Sequence, residues 1–176
     1  NNICLIPPIH DLRPLNVEIP GDPSSAAFFA GAASILPKSN LMLKKILSNP
    51  TRFEFFNIIE SMGVDVNLKN EKNVAGELVN DISIKQKKLF GIHIKKSKVP
   101  SIIDEIPMLA VIATQAIGKT IIKGAGELRV KESDRIKAIV INLRKMGASV
   151  EEFEDGLTIT GPTKLKGANI NTFRDH

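Results

Sequence analysis

The sequence has no tryptophan or tyrosine and a single cysteine among its 176 residues. Cys4 alone cannot form an internal disulfide, and no Cys/His cluster has metal-ligand spacing, so we expect a reducing, cytoplasmic setting and no structural metal. The longest apolar run, residues 106–117, is too short to cross a bilayer, and the first residues, Asn1-Asn2, do not begin a signal peptide. These absences predict a soluble protein without a membrane partner.

Positive charge is in modest excess, +5 at neutral pH, which admits nucleic acid as a partner. The lysines are spread out, however, and only the stretch 85–98 is densely basic, with Phe90 as its one aromatic residue. Because little else could stack on bases, we favour a solvated strand face and no nucleic-acid partner. A basic nucleic-acid module remains an alternative, which a steep salt dependence of DNA or RNA binding would reveal.

An internal repeat organises the chain, whose composition of 43% hydrophobic and 24% charged residues is that of a globular domain. Met62-Gly63 and Met146-Gly147 each end an amphipathic helix and lead into a strand. The shift that superposes these pairs also carries Asn49 onto Ser133, and we expect both residues to be helix N-caps. Earlier in each unit an aspartate, Asp22 or Asp104, precedes an Ala/Ile-rich helix that is apolar on most sides and therefore buried.

The periodicity predicts an α/β fold of repeated βαβαββ modules. We expect a leading strand at 15–19 in the first unit and at 92–95 in the second. The second unit ends in a hairpin, and we expect a longer one at the end of the first unit, with residues 67–80 as its polar connection. After Gly167 we expect one further strand.

The predicted modules span residues 17–98 and 99–170. Residues 1–16 resemble the tail of an upstream domain or an inter-domain crossover, and 171–176 the start of a truncated third module. Asp175 supports this division because, like Asp22 and Asp104, it stands where a new helical segment would begin. We therefore expect a fragment of a longer enzyme.

The most informative stretch, residues 129–135 (RVKESDR), places cations and a carboxylate at the mouth of a helix. With Ser133 as N-cap, Arg135 falls in the first helical turn, where a cation opposes the helix dipole. Backbone N–H groups at a helix start attract anions. The pattern therefore predicts a phosphate or carboxylate ligand.

Five motifs, in order along the chain, resemble bacterial 5-enolpyruvylshikimate-3-phosphate (EPSP) synthase. They are residues 19–28 (IPGDPSSAAF), 49–52 (NPTR), 103–107 (IDEIP), 129–135 and 175–176 (DH). The resemblance implies a transferase that moves the enolpyruvyl group of phosphoenolpyruvate to the 5-hydroxyl of 3-phosphoshikimate and releases phosphate. This reaction lies on the shikimate route to chorismate and the aromatic amino acids, and no cofactor is implied.

Members of that family have two domains of three modules each, with the active site between them. The resemblance thus implies that this chain is most of the C-terminal domain, that its partners are the two substrates and the missing N-terminal domain, and that the enzyme is a monomer. Half of the anion clamp would then be absent, so we expect the isolated chain to be inactive.

Catalytic roles fall by resemblance on two carboxylates. Asp104 matches the aspartate that binds the 5-hydroxyl of 3-phosphoshikimate and accepts its proton, although an N-cap of the following helix is an alternative role. Glu132 matches the carboxylate near the methylene of phosphoenolpyruvate, where a proton shuttle is expected. Its alternative is a surface carboxylate favoured by the helix start.

Substrate binding falls, again by resemblance, on Lys131 for 3-phosphoshikimate and on Arg135 for phosphoenolpyruvate, with His176 bordering the site. Arg129 is either a further ligand or a member of a structural ion pair. The remaining motif residues are explained by capping or echo the anion site in the first module: Ser24, Ser25, Asn49, Thr51 and Arg52.

Two further alternatives stay open at this point. A transferase acting on UDP-N-acetylglucosamine would share the architecture, and a domain that only binds anions could keep the fold. The presence of both Asp104 and Glu132 is hard to explain for a pure binder.

Overall fold

The computed structural model describes residues 4, 5, 8, 14 and 16–175. Within them the chain forms four α-helices and seven strands, with 3₁₀ helices at Lys96–Ile102 and Gly126–Val130. In chain order the elements are α1 (Pro23–Ile35), β1 (Asn40–Leu47), α2 (Glu54–Ser61), β2 (Asp65–Val74), β3 (Glu77–Lys85), β4 (His93–Ile94), α3 (Ile106–Ala113), β5 (Gly118–Lys123), α4 (Arg135–Lys145), β6 (Ser149–Phe153) and β7 (Gly156–Gly161).

The two halves of the chain share one plan. The first sheet has the antiparallel order β1-β3-β2, and the second has the order β4-β5-β7-β6 with β4 parallel to β5. Gly21 makes a parallel bridge to Ile46 of β1, so the segment before α1 takes the place that β4 has beside β5. Each half then runs helix, strand, helix, strand, strand. The predicted α/β class is confirmed.

Three predicted segments were wrong. Of the strand predicted at 15–19, residues 16–19 form none, and the bridge of this segment to β1 is made by Gly21. Residues 67–80 are not a loose connection but most of the β2–β3 hairpin, which turns at Ala75-Gly76 with positive φ angles of 52° and 90°. Because β2 is exposed along most of its length, its sequence lacks the alternation that marks a half-buried strand. Residues 162–175 form no strand.

The module boundaries at 17–98, 99–170 and 171–176 stay predictions. Strand β4 lies on the N-terminal side of residue 98 and pairs with β5 of the second sheet. The predicted tail at 1–16 falls almost wholly outside the described residues.

Helices α1 and α3 pack against each other and join the two halves. The side of α1 that faces inward is made of small residues, including Ala26, Ala27 and Ala30, all buried. A Cβ on Gly31 would lie 2.4 Å from Sδ of Met108, so the glycine leaves room for this side chain in its present position. This contact brings the N-terminal ends of α1 and α3, with Asp22 and Asp104, to the same side of the molecule. In residues 16–175 no helix has the length and hydrophobicity needed to cross a bilayer.

Asp81 on β3 organises the first sheet. Its carboxylate is 8% exposed and accepts hydrogen bonds from Nζ of Lys44 at 2.8 Å, the Lys45 N–H at 2.9 Å and Nδ2 of Asn70 at 2.8 Å. These donors lie at irregularities in both flanking strands, where Lys45 and Asn70 have positive φ. Lys45 in turn accepts from the Gly21 N–H at 2.8 Å, so Asp81 fixes the strand position that anchors the start of α1.

Asp81→Asn should lower the free energy of unfolding at pH 7, because an amide would place its own N–H₂ against the Lys44 ammonium. Lys44 above all, with Asn70 and Lys45, holds the pKa of Asp81 far below its usual range. A carboxylate whose pKa is lower in the folded than in the unfolded state stabilises the protein above the unfolded value of about 3.9. This stabilisation is lost progressively as the pH falls below that value. Urea unfolding at pH 7 and pH 3 should show a wild-type advantage that shrinks at the lower pH.

Glu71→Gln on the exposed hairpin strand β2 is the matched control and should change little at either pH. An advantage of wild type over Asp81→Asn that is equal at the two pH values would contradict the role given to this carboxylate.

Candidate anion-binding site at the start of helix α4

A cleft of about 1080 Å³ runs past the N-terminal ends of α1, α3 and α4 and the C-terminal segment. Its wall contains three of the residues to which sequence reasoning assigned a role in catalysis or phosphoenolpyruvate binding, namely Asp104, Glu132 and Arg135, and it also contains Lys131. The further lining residues include polar and aromatic ones, Asp22, Ser24, Ser25, Phe28, Phe29, Asn171, Thr172 and Asp175, and aliphatic ones, among them Val111, Ile139, Leu143, Met146 and Ile170. The predicted site residues therefore share one concave surface.

Arg135, the first residue of α4, lies at the centre of a carboxylate cluster. Its Nη1 is 3.1 Å from Oδ1 of Asp104, and its Nη2 is 2.9 Å from Oε2 of Glu132. Asp175 is bound through two atoms, with Nε to Oδ2 and Nη2 to Oδ1 both at 2.9 Å. The structure thus brings Asp104, Glu132 and Arg135 together, as one small substrate requires.

Exposure divides the three carboxylates into two kinds. The side chains of Arg135 and Asp175 are each 15% exposed, whereas those of Asp104 and Glu132 are 61% and 45% exposed. A bidentate pair shielded from water is strong and fixes the plane of the guanidinium. Exposed pairs contribute little, so the contacts to Asp104 and Glu132 are the ones that an incoming anion can replace.

The cation in the first turn of α4 is neutralised within the chain. Hydrogen bonds to Asp175 above all, opposed in part by burial, raise the pKa of Arg135, so it is charged at every accessible pH. Protein carboxylates already contact this arginine, so its position alone does not require a bound anion, and the phosphate or carboxylate ligand stays a prediction. What favours an external anion is that two of those carboxylates are exposed.

The predicted caps need correction. Asp134, not Ser133, caps α4 by accepting the Lys137 N–H at 3.0 Å. The Ser133 hydroxyl instead donates to Oδ2 of Asp175 at 2.7 Å. Asn49 is not a cap either, because α2 begins five residues later at Glu54.

Asp104 is likewise free of a capping role, since the N-cap of α3 is Glu105 and makes no side-chain cap bond. Within residues 16–175, the side-chain hydrogen bond of Asp104 is to Arg135. The structural alternative weighed for Asp104 therefore does not hold, and its carboxylate stands at the cleft.

Asp175 is the residue that sequence reasoning missed as a site member. The sequence does group Asp175 with Asp22 and Asp104, but this grouping predicts only the start of a helix. Lys131 lines the cleft with its Nζ 3.5 Å from Oε1 of Glu127 and its side chain 27% exposed. His176 lies outside the described residues.

The first half of the chain repeats the arginine–aspartate pair. Nη2 of Arg52 is 3.1 Å from Oδ1 of Asp22, the separation found between Arg135 and Asp104. Arg52 also donates to Oγ of Ser24 at 3.1 Å, and that hydroxyl donates to Glu105 beside Asp104. The predicted echo of the anion site is thus present as geometry, although Ser24 links two helices rather than capping one.

Asp22 is the N-cap of α1, a role that was expected of other residues in this half, Ser24, Ser25, Asn49 and Thr51. It accepts the Ser25 N–H at 2.7 Å and the Ser25 hydroxyl at 2.8 Å. Partial burial alone would raise the pKa of Asp22, but these bonds and Arg52 hold it below its ordinary value. Residues 16–175 contain no group of three His, Cys, Asp or Glu side chains arranged to hold a metal ion.

Comparison with known proteins decides the family. The family model described as EPSP synthase (3-phosphoshikimate 1-carboxyvinyltransferase) matches residues 1–176. The chain belongs to the EPSP synthase family. Proteins named 3-phosphoshikimate 1-carboxyvinyltransferase from Sulfurihydrogenibium sp. and Persephonella marina are 51% and 52% identical to it, each over 94% of this chain and 38% of the relative. The one from Thermodesulfovibrio yellowstonii is 44% identical over 100% of this chain and 41% of its own length.

Solved structures agree with this assignment. EPSP synthase from Acinetobacter baumannii superposes with a TM-score of 0.88 at 40% identity, covering 92% of this chain and 38% of that one. The enolpyruvyl transferase NikO from Streptomyces tendae, at 17% identity and a TM-score of 0.52, shares the fold alone. The family inferred from the motifs is therefore confirmed, and this EPSP synthase family member spans about two fifths of the length of its curated relatives.

Asp175→Asn should destabilise this chain more than Asp104→Asn does. The first change removes the charge of a shielded bidentate partner and leaves one acceptor oxygen where Arg135 and Ser133 now use two, at a cost of about 1–3 kcal/mol. The second removes one exposed contact, worth less than about 1 kcal/mol. Denaturant unfolding at neutral pH measures both losses of stability. Equal losses would contradict the distinction between the shielded carboxylate of Asp175 and the exposed carboxylate of Asp104.

Proposed function

We propose that this chain forms part of an EPSP synthase, which transfers the enolpyruvyl group of phosphoenolpyruvate to the 5-hydroxyl of 3-phosphoshikimate with release of phosphate. The observation that carries the proposal is the convergence of Asp104 and Glu132 on Arg135 in one cleft, 3.1 Å and 2.9 Å from its guanidinium. The names of the relatives support this acceptor over UDP-N-acetylglucosamine.

Arg135 would hold the anionic phosphoenolpyruvate. A guanidinium already fixed by Asp175 presents its remaining N–H groups in a set direction, which suits a carboxylate or phosphate. As the substrate anion takes over the bonds now made to Asp104 and Glu132, those carboxylates lose their cation and gain basicity. Anion binding would in this way prepare the two groups that must move protons.

The reaction needs a proton on the methylene carbon of phosphoenolpyruvate, attack of the hydroxyl oxygen on C2, and collapse of the tetrahedral intermediate with loss of phosphate and of a methyl proton. Asp104 would accept the hydroxyl proton, and Glu132 would carry the proton to and from the methylene carbon. Lys131 would contact 3-phosphoshikimate. A role for His176 at the edge of the site remains a prediction.

The complete enzyme would close this cleft with a further domain, expected to supply most contacts to 3-phosphoshikimate, and would act as a monomer in the cytoplasm. Cys4, which is free and exposed, is compatible with a reducing compartment. Neither nucleic acid nor a membrane is a proposed partner.

Arg135→Lys in a full-length enzyme carrying this chain should lower kcat/KM for phosphoenolpyruvate by about 100-fold or more, because an ammonium cannot make the paired contacts of a guanidinium. Arg52→Lys is the matched control, since Arg52 makes the same 3.1 Å pair to an aspartate, and it should stay within about threefold of wild type. Steady-state kinetics at saturating 3-phosphoshikimate measures both. A similar loss in the two variants would remove the special role of Arg135.

The 176-residue chain alone should release no phosphate from the two substrates, because catalysis needs the reacting groups held from both sides of the cleft. A coupled phosphate assay with the purified chain is the test. Release above a blank that lacks 3-phosphoshikimate would show that these residues suffice.

A further inference from the structure

Arg129 makes four hydrogen bonds, all of them to protein acceptors. Nε donates to the Glu154 carbonyl and Nη2 to the Phe153 carbonyl, each at 2.6 Å, while Nη2 also reaches Oε1 of Glu152 at 3.0 Å. Nη1 donates to Oδ2 of Asp134 at 2.8 Å. The side chain is 25% exposed, so three bonds hold the guanidinium against the β6–β7 hairpin while the fourth points to the start of α4.

Asp134 passes this constraint to α4. One of its oxygens accepts from Arg129, and the other caps the helix by accepting the Lys137 N–H at 3.0 Å. The Arg129–Asp134 contact therefore closes a small ring of backbone, residues 129–134, that contains Lys131 and Glu132. Arg135 follows immediately.

Besides this contact, the ring is held by polar contacts of Lys131 to Glu127, Glu132 to Arg135 and Ser133 to Asp175, and not by apolar packing. Leu128 and Ile136 on either side of it are buried, but no residue from 129 to 135 is, and Val130 is 81% exposed. A segment without buried apolar contacts is mobile unless hydrogen bonds hold it. The hairpin that anchors Arg129 is by contrast rigid, since β7 pairs on both sides with β5 and β6.

We propose that Arg129 is a positioning residue, which holds Lys131, Glu132 and Arg135 in the geometry for substrate through Asp134 and does not itself touch substrate. The kinetic consequences of this inference rest on the proposed function, whereas its structural consequences do not. It resolves the two roles considered for Arg129 in favour of the ion pair, and gives that pair a purpose in the site.

Arginine is required here because its acceptors lie in two directions. A planar guanidinium can bond the hairpin carbonyls and Asp134 at once, whereas a lysine ammonium at the same place can reach one group or the other. Arg129→Lys therefore keeps the positive charge but breaks the link between the hairpin carbonyls and Asp134. Arg144→Lys is the matched control, since Arg144 also donates to a backbone carbonyl, that of Val150 at 2.9 Å, at the far end of α4.

The structural arm uses the 176-residue chain and needs no activity. In Arg129→Lys, ¹⁵N order parameters of the amides of Lys131, Glu132 and Ser133 should fall from the rigid value of about 0.85 toward about 0.6. The Lys137 amide should exchange with solvent at least about tenfold faster, because its acceptor is no longer held. Arg144→Lys should leave these amides unchanged.

The kinetic arm uses a full-length enzyme that carries this chain. Arg129→Lys and Asp134→Asn should each lower kcat/KM for phosphoenolpyruvate by about 10- to 100-fold, as small misplacements of catalytic groups do. Because both act through one contact, the double variant should lose no more than the worse single variant. Glu152→Gln, which removes one of the three hairpin contacts, should stay within about threefold.

The outcomes separate the two proposals. Absence of turnover in the unmodified full-length enzyme would refute the proposed function, and the order parameters would still decide whether Arg129 holds the ring. Unchanged order parameters in Arg129→Lys, or single-variant losses that multiply in the double variant, would overturn the positioning role. Losses in Glu152→Gln as large as those in Asp134→Asn would also overturn it, since they would show general damage to the hairpin.

Discussion

The arrangement of the site depends on the two-point contact between Arg135 and Asp175, in which both bonds are 2.9 Å long and both side chains are 15% exposed. That pair joins the start of α4 to the C-terminal segment and sets the plane of the guanidinium. The exposed carboxylates of Asp104 and Glu132 then complete its coordination only loosely. A guanidinium that is fixed by one shielded pair, and whose other contacts are exposed and weak, is suited to exchanging one anion for another.

The fold brings these groups together by repetition. Close packing of α1 on α3, in which the Met108 side chain lies over Gly31, places the aspartates before the two helices on one side. Each half then pairs its aspartate with an arginine near the start of its second helix, Arg52 in one and Arg135 in the other. Glu132 and Asp175 join only the second pair. The same plan therefore gives a structural contact in the first half and a candidate active site in the second.

Sequence reasoning could find the class, the repeat and the family, because helical periodicity and short motifs are local. It assigned the cap of α4 to Ser133, whereas Asp134 is the cap, because tertiary partners decide between two good capping residues: Arg129 holds Asp134, and Asp175 accepts from the Ser133 hydroxyl. The strands of the β2–β3 hairpin extend through residues expected to form its connection, 67–80, because β2 is exposed and shows no alternation that would mark its length. Asp175 was seen in the sequence, but only folding shows that its partner is Arg135.

The central claim is that substrate replaces Asp104 and Glu132 on Arg135 while Asp175 stays. A crystal structure of a full-length enzyme carrying this chain, with phosphoenolpyruvate and 3-phosphoshikimate or an unreactive mimic of them bound, tests it most directly. We expect both Arg135–Asp175 bonds to remain near 2.9 Å, with a substrate anion on the guanidinium and the two exposed carboxylates turned toward the reacting atoms. Substrate bound elsewhere, with Arg135 still bonded to all three carboxylates, would contradict the account.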